Sequence, residues 1–208
     1  MTSIKGETVA ATLSTRDRLL AAARSLFADR GFYGASLALI ARELSVTKQT
    51  LLHHFVSKEQ LYAEVLAEIA ESYLQLLKRI QSEYVDPRHR LEAAVLALAQ
   101  GAPEDMQNAR IVMRELLDNQ HRVDRVKNWY LRPWLDALTD TVLEIPSEHA
   151  ATREEALATV YLILGAANFF AMSAPTLQGM FGKRDFARLE SAYPEQLTAF
   201  LRARFGPY

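Results

Sequence analysis

No cysteine occurs in the 208 residues. Disulfides, thiolate metal sites and thiol redox sensing are thereby removed, and a reducing cytoplasm is the expected setting. Net charge is nearly absent too, at a formal −1, but it is unevenly spread. Residues 1–60 carry eight Lys or Arg against five Asp or Glu, so +3, and the remaining 148 carry 16 against 20, so −4. That polarity favours a nucleic-acid end and a non-nucleic-acid end. The opening residues MTSIKGETVAAT lack the apolar core of a signal peptide, so residues 1–13 read as a loose arm. Also missing are a glycine-rich phosphate loop, a nucleophile-elbow pattern and a zinc-protease helix motif. No enzyme and no cofactor is expected. No stretch reads as a strand, and no repeat or low-complexity tract is visible, which leaves an all-α chain long enough to bury a real core.

The most informative stretch runs from Ser36 to Lys58, SLALIARELSVTKQTLLHHFVSK. Ser36 is a good N-cap, and Ile40, Ala41 and Leu44 make the inner stripe of a short helix. Ser45 and Val46 are a tight corner, after which Thr47 caps a second helix anchored by Leu51 and Phe55. The pattern is a helix-turn-helix. So short a helix buries little, leaving Lys48, Gln49, Thr50, His53 and His54 outside. This set suits a major groove, because Lys reads guanine acceptors, Gln reads adenine, and the Thr hydroxyl takes base edges or phosphate. The bland alternative is a helical hairpin with a solvated polar face.

Around this stretch the rest is helical. A first helix starts at a capping box, Ser14 with Asp17, buries Leu19, Ala22, Ala23, Leu26 and Phe27, and ends at Gly31. Arg16 and Arg18 lie outside it. Ser57 with Gln60 opens a long helix striped by Leu61, Val65, Ile69, Tyr73, Leu76 and Ile80. Running to Tyr84, it would measure roughly 40 Å at 1.5 Å per residue. Lys58 sits in its first turn, where N–H groups and ammonium together favour a phosphate. Asp86-Pro87 opens a helix to Gln100, Pro103 opens another to about Asn119, and a region from about Val123 to Glu144 should bend or restart at Pro133. Ala156 to Ala174 is uncharged for 19 residues, the length of a membrane span. Thr159, Asn168 and Ser173 interrupt it and Glu154-Glu155 flank it, so the expectation is a soluble helix meeting its own core on one side and a second subunit on the other. Ala158, Gly165 and Ala166 would let helices approach closely. A loop around Gly179 to Arg184 and a last helix starting at Pro194 complete the chain.

Residues Thr15 to Leu61 resemble the N-terminal DNA-binding domain of the TetR family of one-component transcriptional repressors. The likeness rests on Ala22-Ala23, Leu26-Phe27, Gly31-Phe32, Gly34-Ala35-Ser36, Ile40-Ala41, Val46-Thr47-Lys48, Thr50-Leu51, His54-Phe55 and Ser57-Lys58-Glu59. The resemblance implies a three-helix DNA-binding domain over 14–60, followed by a helical effector-binding and dimerisation domain over 61–208. It places Lys48, Gln49 and His53 at base edges, and Thr47, Thr50, His54 and Lys58 at or near phosphates, with Ser36 completing the set. Two residues depart from the family pattern. Leu52 stands where a phosphate-contacting tyrosine is usual and Ala38 where many members carry an arginine. Both departures shorten polar reach, shifting weight onto Arg16, Lys5 and the arm.

The resemblance also implies a small-molecule pocket between the C-terminal helices. Met113, Leu117, Trp129, Trp134, Tyr161, Phe169 and Met172 offer apolar lining for an apolar or aromatic effector. Asn168 needs a partner that a ligand, a subunit neighbour or a backbone carbonyl can supply. No metal site is expected. Neighbours His53 and His54 project roughly 100° apart on a helix, and Asp118, His121 and Asp124 read as a hydrated surface cluster. Ser147, Glu148 and His149 are consecutive and cannot form a relay. The expected protein is a cytoplasmic homodimer that grips a near-palindromic operator and is released by its effector. The alternatives are an effector-independent repressor, or a helical adaptor that has lost DNA binding.

Overall fold

The structure, a computed structural model, describes residues 14–101, 103–117, 129–146 and 151–206, and the regular structure among them is entirely α-helical. The chain divides into two compact units, one ending at Tyr62 and one starting at Ala63. The expected arm, Lys5, the Asp118–His121–Asp124 group and Ser147 to His149 lie outside the described residues.

In the first unit, α1 spans Thr15–Gly34, α2 Leu37–Glu43 and α3 Lys48–His54. Each start is set by a hydroxyl that accepts a bond from an otherwise unpaired N–H. Ser14 Oγ takes Asp17 N at 3.2 Å, Ser36 Oγ takes Leu39 N at 3.2 Å and Thr47 Oγ1 takes Thr50 N at 3.1 Å. The Ser14 capping box is closed by the Asp17 carboxylate, which accepts from Ser14 N. Gly31 does break α1, at φ 69°, but a further helical turn follows it to Gly34. The buried faces of these helices supply Leu19, Leu20, Ala23, Leu26, Phe27, Ile40, Ala41, Leu51 and Phe55.

The corner between α2 and α3 is a complete Schellman motif. Ser45 N donates to Arg42 O at 3.0 Å and Val46 N to Ala41 O at 3.0 Å, closing the carbonyl end of α2. The motif needs a left-handed residue, and Ser45 supplies it at φ 55°, where glycine would be unstrained.

Helix α4 spans Lys58–Glu83 and contains the boundary between the units. In the second unit, α5 spans Pro87–Ala99, α6 Pro103–Leu117, α7 Arg132–Leu143 and α8 Arg153–Phe205. Asp86 caps α5, with Pro87 in the first turn, where a missing N–H is harmless. Pro133 likewise falls in the first turn of α7, so it marks a start rather than a bend. A Thr152–Glu155 capping box begins α8. Arg153 then forks to Asp140 and Asp136 on α7, at 2.6 and 2.7 Å.

The C-terminal end differs from expectation. No loop spans Gly179 to Arg184; the helical path breaks at the single residue Gly182, at φ 77°, and Pro194 sits inside the following helical stretch rather than at its start. The chain doubles back there. Tyr193 Oη donates to Ala166 O at 2.7 Å and its ring stacks on Phe170 at 3.7 Å. These contacts hold the returning segment across a proline that itself removes one helical hydrogen bond. Its far end is tied to α5 by Arg202, whose Nε and Nη2 each donate to Glu92 at 3.2 Å, and by Arg88 Nε to Phe205 O at 2.9 Å.

By length and composition alone α8 could cross a membrane, with mean hydropathy 1.7 over an 18-residue window. Its two sides are unlike, however. Ala156, Val160, Ile163, Leu164, Ala167, Asn168 and Ala171 are buried in the unit's own core, whereas Leu157, Tyr161, Leu162 and Phe169 are exposed.

Relieving the strain at the α2–α3 corner should stabilise the first unit. Ser45→Gly is expected to raise unfolding free energy by about 0.5–1 kcal/mol, and Ser45→Val to lower it, read by urea denaturation.

Candidate nucleic-acid interface

Helix α3 has seven residues and two sides. Leu51 and Phe55, each 0% exposed, anchor the inner side. Residues at i and i+4 lie on one face of a helix, so burying this pair turns Lys48, Gln49 and His53 outward, and all three are exposed. Thr50, Leu52 and His54 are half-buried flanks. Thr47 and Thr50 share a hydroxyl hydrogen bond at 2.9 Å, which holds both at the start of the helix. Ser36 and Ala38 are exposed at the start of α2.

Arg16 is not simply solvated. Its guanidinium lies 5.1 Å over the Phe55 ring centroid, placing a fixed positive charge beside the end of α3. The His53 and His54 rings are 5.6 Å apart and 72° to one another, and no cluster of three metal-ligating side chains occurs among the described residues. The exposed surface of α3 can therefore donate and accept hydrogen bonds and carry positive charge.

Lys58 differs from the rest of the expected set. Its ammonium turns inward, donating to Phe32 O at 2.8 Å and Ala35 O at 3.1 Å, and lies 4.3 Å over the Phe32 ring. The carbonyls at the end of a helix lack N–H partners and attract a cation, which explains the pull away from a phosphate-facing pose. Ser57 Oγ accepts from Gln60 N at 3.1 Å as expected, and the Gln60 amide oxygen accepts from Val56 N at 3.0 Å.

The eight residues expected around an effector do not share one environment. Trp134 is buried against Tyr73, with ring centroids 4.9 Å apart, so it is core. Asn168 is buried too, and its amide donates to Leu164 O at 2.9 Å; the backbone supplies the partner it needed. Leu117, Trp129, Tyr161 and Phe169 are exposed, at 67%, 50%, 50% and 72%. Met113 and Met172 are half-buried. An open cleft of about 1130 Å³ lies between the end of α7 and both ends of α8, lined by Ile145, Glu155, Ala158 and Phe205 among others and by none of the eight.

Two polar groups lie inside the second unit: Asn108, not expected from the sequence, and Tyr73, expected on the inner stripe of α4. Asn108 on α6 is buried, and its amide oxygen has no hydrogen-bond partner among the described residues. Tyr73 on α4 is also buried; burial, reinforced by the charge of Asp105, pushes its phenol well above the ordinary range. The available signal was a polar residue at the i−3 position from Ile111 on an otherwise apolar stripe.

Residues 19–65 match the family of bacterial regulatory proteins, tetR family. The HTH-type transcriptional activator FasR of Mycolicibacterium smegmatis is 30% identical over 132 residues, covering 64% of this chain and 58% of that protein. The chain spans less than two thirds of the length of the curated relatives it matches first. Among solved structures, the fatty acid degradation regulator FadR from Bacillus halodurans aligns with a TM-score of 0.66 at 17% identity, covering 90% of this chain and 96% of that one. The ketosteroid transcriptional regulator KstR2 of Mycobacterium tuberculosis aligns at 0.65 and 18%, covering 90% and 95%.

Proposed function

We propose that the chain, whose residues 19–65 match the tetR family of bacterial regulatory proteins, is a sequence-specific DNA-binding repressor of that family that works as a homodimer and is released by a small apolar effector. One observation carries the DNA reading. Leu51 and Phe55 are wholly buried behind a seven-residue helix whose outer side offers Lys48, Gln49 and His53. Lys48 suits guanine O6 and N7, and Gln49 suits adenine N6 and N7. Thr47, Thr50, His54 and Ser36 flank these, and Arg16 adds charge where Leu52 and Ala38 supply none.

Geometry on both sides supports dimerisation. A single short helix reads few bases, and two-fold pairing doubles the contact when recognition helices sit about 34–36 Å apart. The exposed side of α8 offers the self-complementary surface, with Tyr161, Leu162 and Phe169 bare and Gly165 between them. A Cβ added at Gly165 meets nothing within 4 Å in its own chain, so the missing side chain serves no packing there and leaves room for a second helix. On this reading the DNA-binding part is residues 14–60 and the effector-binding and dimerisation part 61–208.

The effector reading rests on the second unit. A buried amide oxygen without a partner costs about 1–3 kcal/mol, and a ligand that brings a donor to Asn108 recovers that cost. Relatives of this fold are named for ketosteroids and fatty acid degradation, which supports an apolar body. The effector must bind the released state more tightly than the DNA-bound one.

Three outcomes are expected. Lys48→Ala should weaken binding to the promoter beside the protein's own gene and cost about 1–3 kcal/mol of discrimination at the guanine it is placed against, measured by fluorescence anisotropy with base-substituted duplexes; unchanged discrimination removes Lys48 from the base edges. Phe169→Glu should shift the protein from dimer to monomer in sedimentation velocity, because it buries charge in the proposed contact. Asn108→Leu should raise the melting temperature of the ligand-free protein while abolishing the loss of DNA affinity that a steroid- or fatty-acyl-type effector produces in the parent.

A further inference from the structure

The geometry points to Lys58 as the clasp that closes the helix-turn-helix: a positioning residue for α3 and not a phosphate contact. Its ammonium joins the two ends of one segment. Ala35 immediately precedes Ser36, the N-cap of α2, and Lys58 is the first residue of α4, shortly beyond the close of α3. Everything that carries the groove-facing side chains is looped out between these two points. The 3.1 Å bond from Lys58 Nζ to Ala35 O ties entry to exit, and the 2.8 Å bond to Phe32 O anchors both to the last turn of α1.

The ammonium is occupied on the sides that matter. Two of its N–H donors meet carbonyls, and the ring of Phe32 lies 4.3 Å away across its remaining flank. That ring is itself fixed, packed at 5.1 Å on Tyr62, one turn further along α4, and at 6.3 Å on Phe27 of α1. Lys58 and Tyr62 therefore straddle Phe32 from a single helix face. A phosphate could recruit the ammonium only by stripping it from both carbonyls, at the cost of two part-buried, charge-assisted hydrogen bonds. Lys48 is different: its side chain is exposed on the outer side of α3.

A clasp and a phosphate contact make different predictions, and the difference can be read without DNA. Acetylation footprinting of the full-length protein by mass spectrometry should label Lys58 about tenfold or more slowly than Lys48, since local opening must precede reaction; equal rates in the unliganded protein overturn the clasp. In Lys58→Met, amide hydrogen exchange across residues 36–54 should quicken by about tenfold or more, and unchanged exchange overturns the proposal. The inference rests on the DNA-binding reading in one respect only, the salt slope. With a duplex that the parent binds, Lys58→Met should weaken affinity at an unchanged slope of log K against log salt. A slope lowered by about one, the release expected of a single phosphate contact, overturns the proposal whatever the exchange shows. Should the parent bind no duplex at all, the regulatory reading fails, while the footprint and exchange still decide the clasp; the footprint does so even if Lys58→Met does not fold.

Discussion

A seven-residue helix has no independent existence in water, because nucleating a turn costs more than a few hydrogen bonds return. Helix α3 exists because Leu51 and Phe55 are taken fully out of water and because Thr47 closes its first turn. The same two buried side chains decide what faces outward. Since only one side of so short a helix can be buried, anchoring it at positions four apart leaves Lys48, Gln49 and His53 no other direction to take. Packing and presentation are here one constraint.

The remainder of the first unit reads as support for that constraint. Hydroxyl caps at Ser14, Ser36, Thr47 and Ser57 fix where each helix begins, so the register of Lys48 relative to Leu51 is set by local chemistry before any tertiary contact forms. The corner at Ser45 accepts a left-handed backbone to end α2 sharply enough for α3 to turn away. In the second unit the emphasis is different. The long α8 folds back at Gly182 and is locked by Tyr193 and Arg202, leaving a bare apolar face where Tyr161, Leu162 and Phe169 stand.

Much of this was legible in the chain itself. Caps, inner stripes and the helix-turn-helix were readable because each depends on residues within four positions of one another, and local hydrogen bonds obey local rules. The family likeness covered the same ground, and the match to residues 19–65 agrees with it. What could not be read depends on distant partners. A lysine in a helix's first turn can face solvent or an earlier helix's carbonyls, and only the placement of Phe32 and Ala35 decides for Lys58. Pro194 looked like a helix start, yet the contacts of Tyr193 with Ala166 and Phe170, formed across 27 and 23 residues of sequence, carry the helix through it. The aromatic residues of the second unit were recognisable as apolar but not sortable: Trp134 went to the core and Phe169 to the surface for reasons of packing that composition does not record. The Thr152–Glu155 capping box obeys the same local rule as the others and is overshadowed in the sequence by the apolar run that follows it.

What most needs deciding is whether paired copies of α3 read a duplex through Lys48, Gln49 and their neighbours. Selection of bound DNA from a random pool by the full-length protein decides it. The expected product is a near-palindrome whose half-sites are spaced by about 10–10.5 base pairs or a multiple, with guanine and adenine fixed at adjacent positions in each half. A pool that returns unenriched, or enriched without two-fold symmetry, would rule that arrangement out.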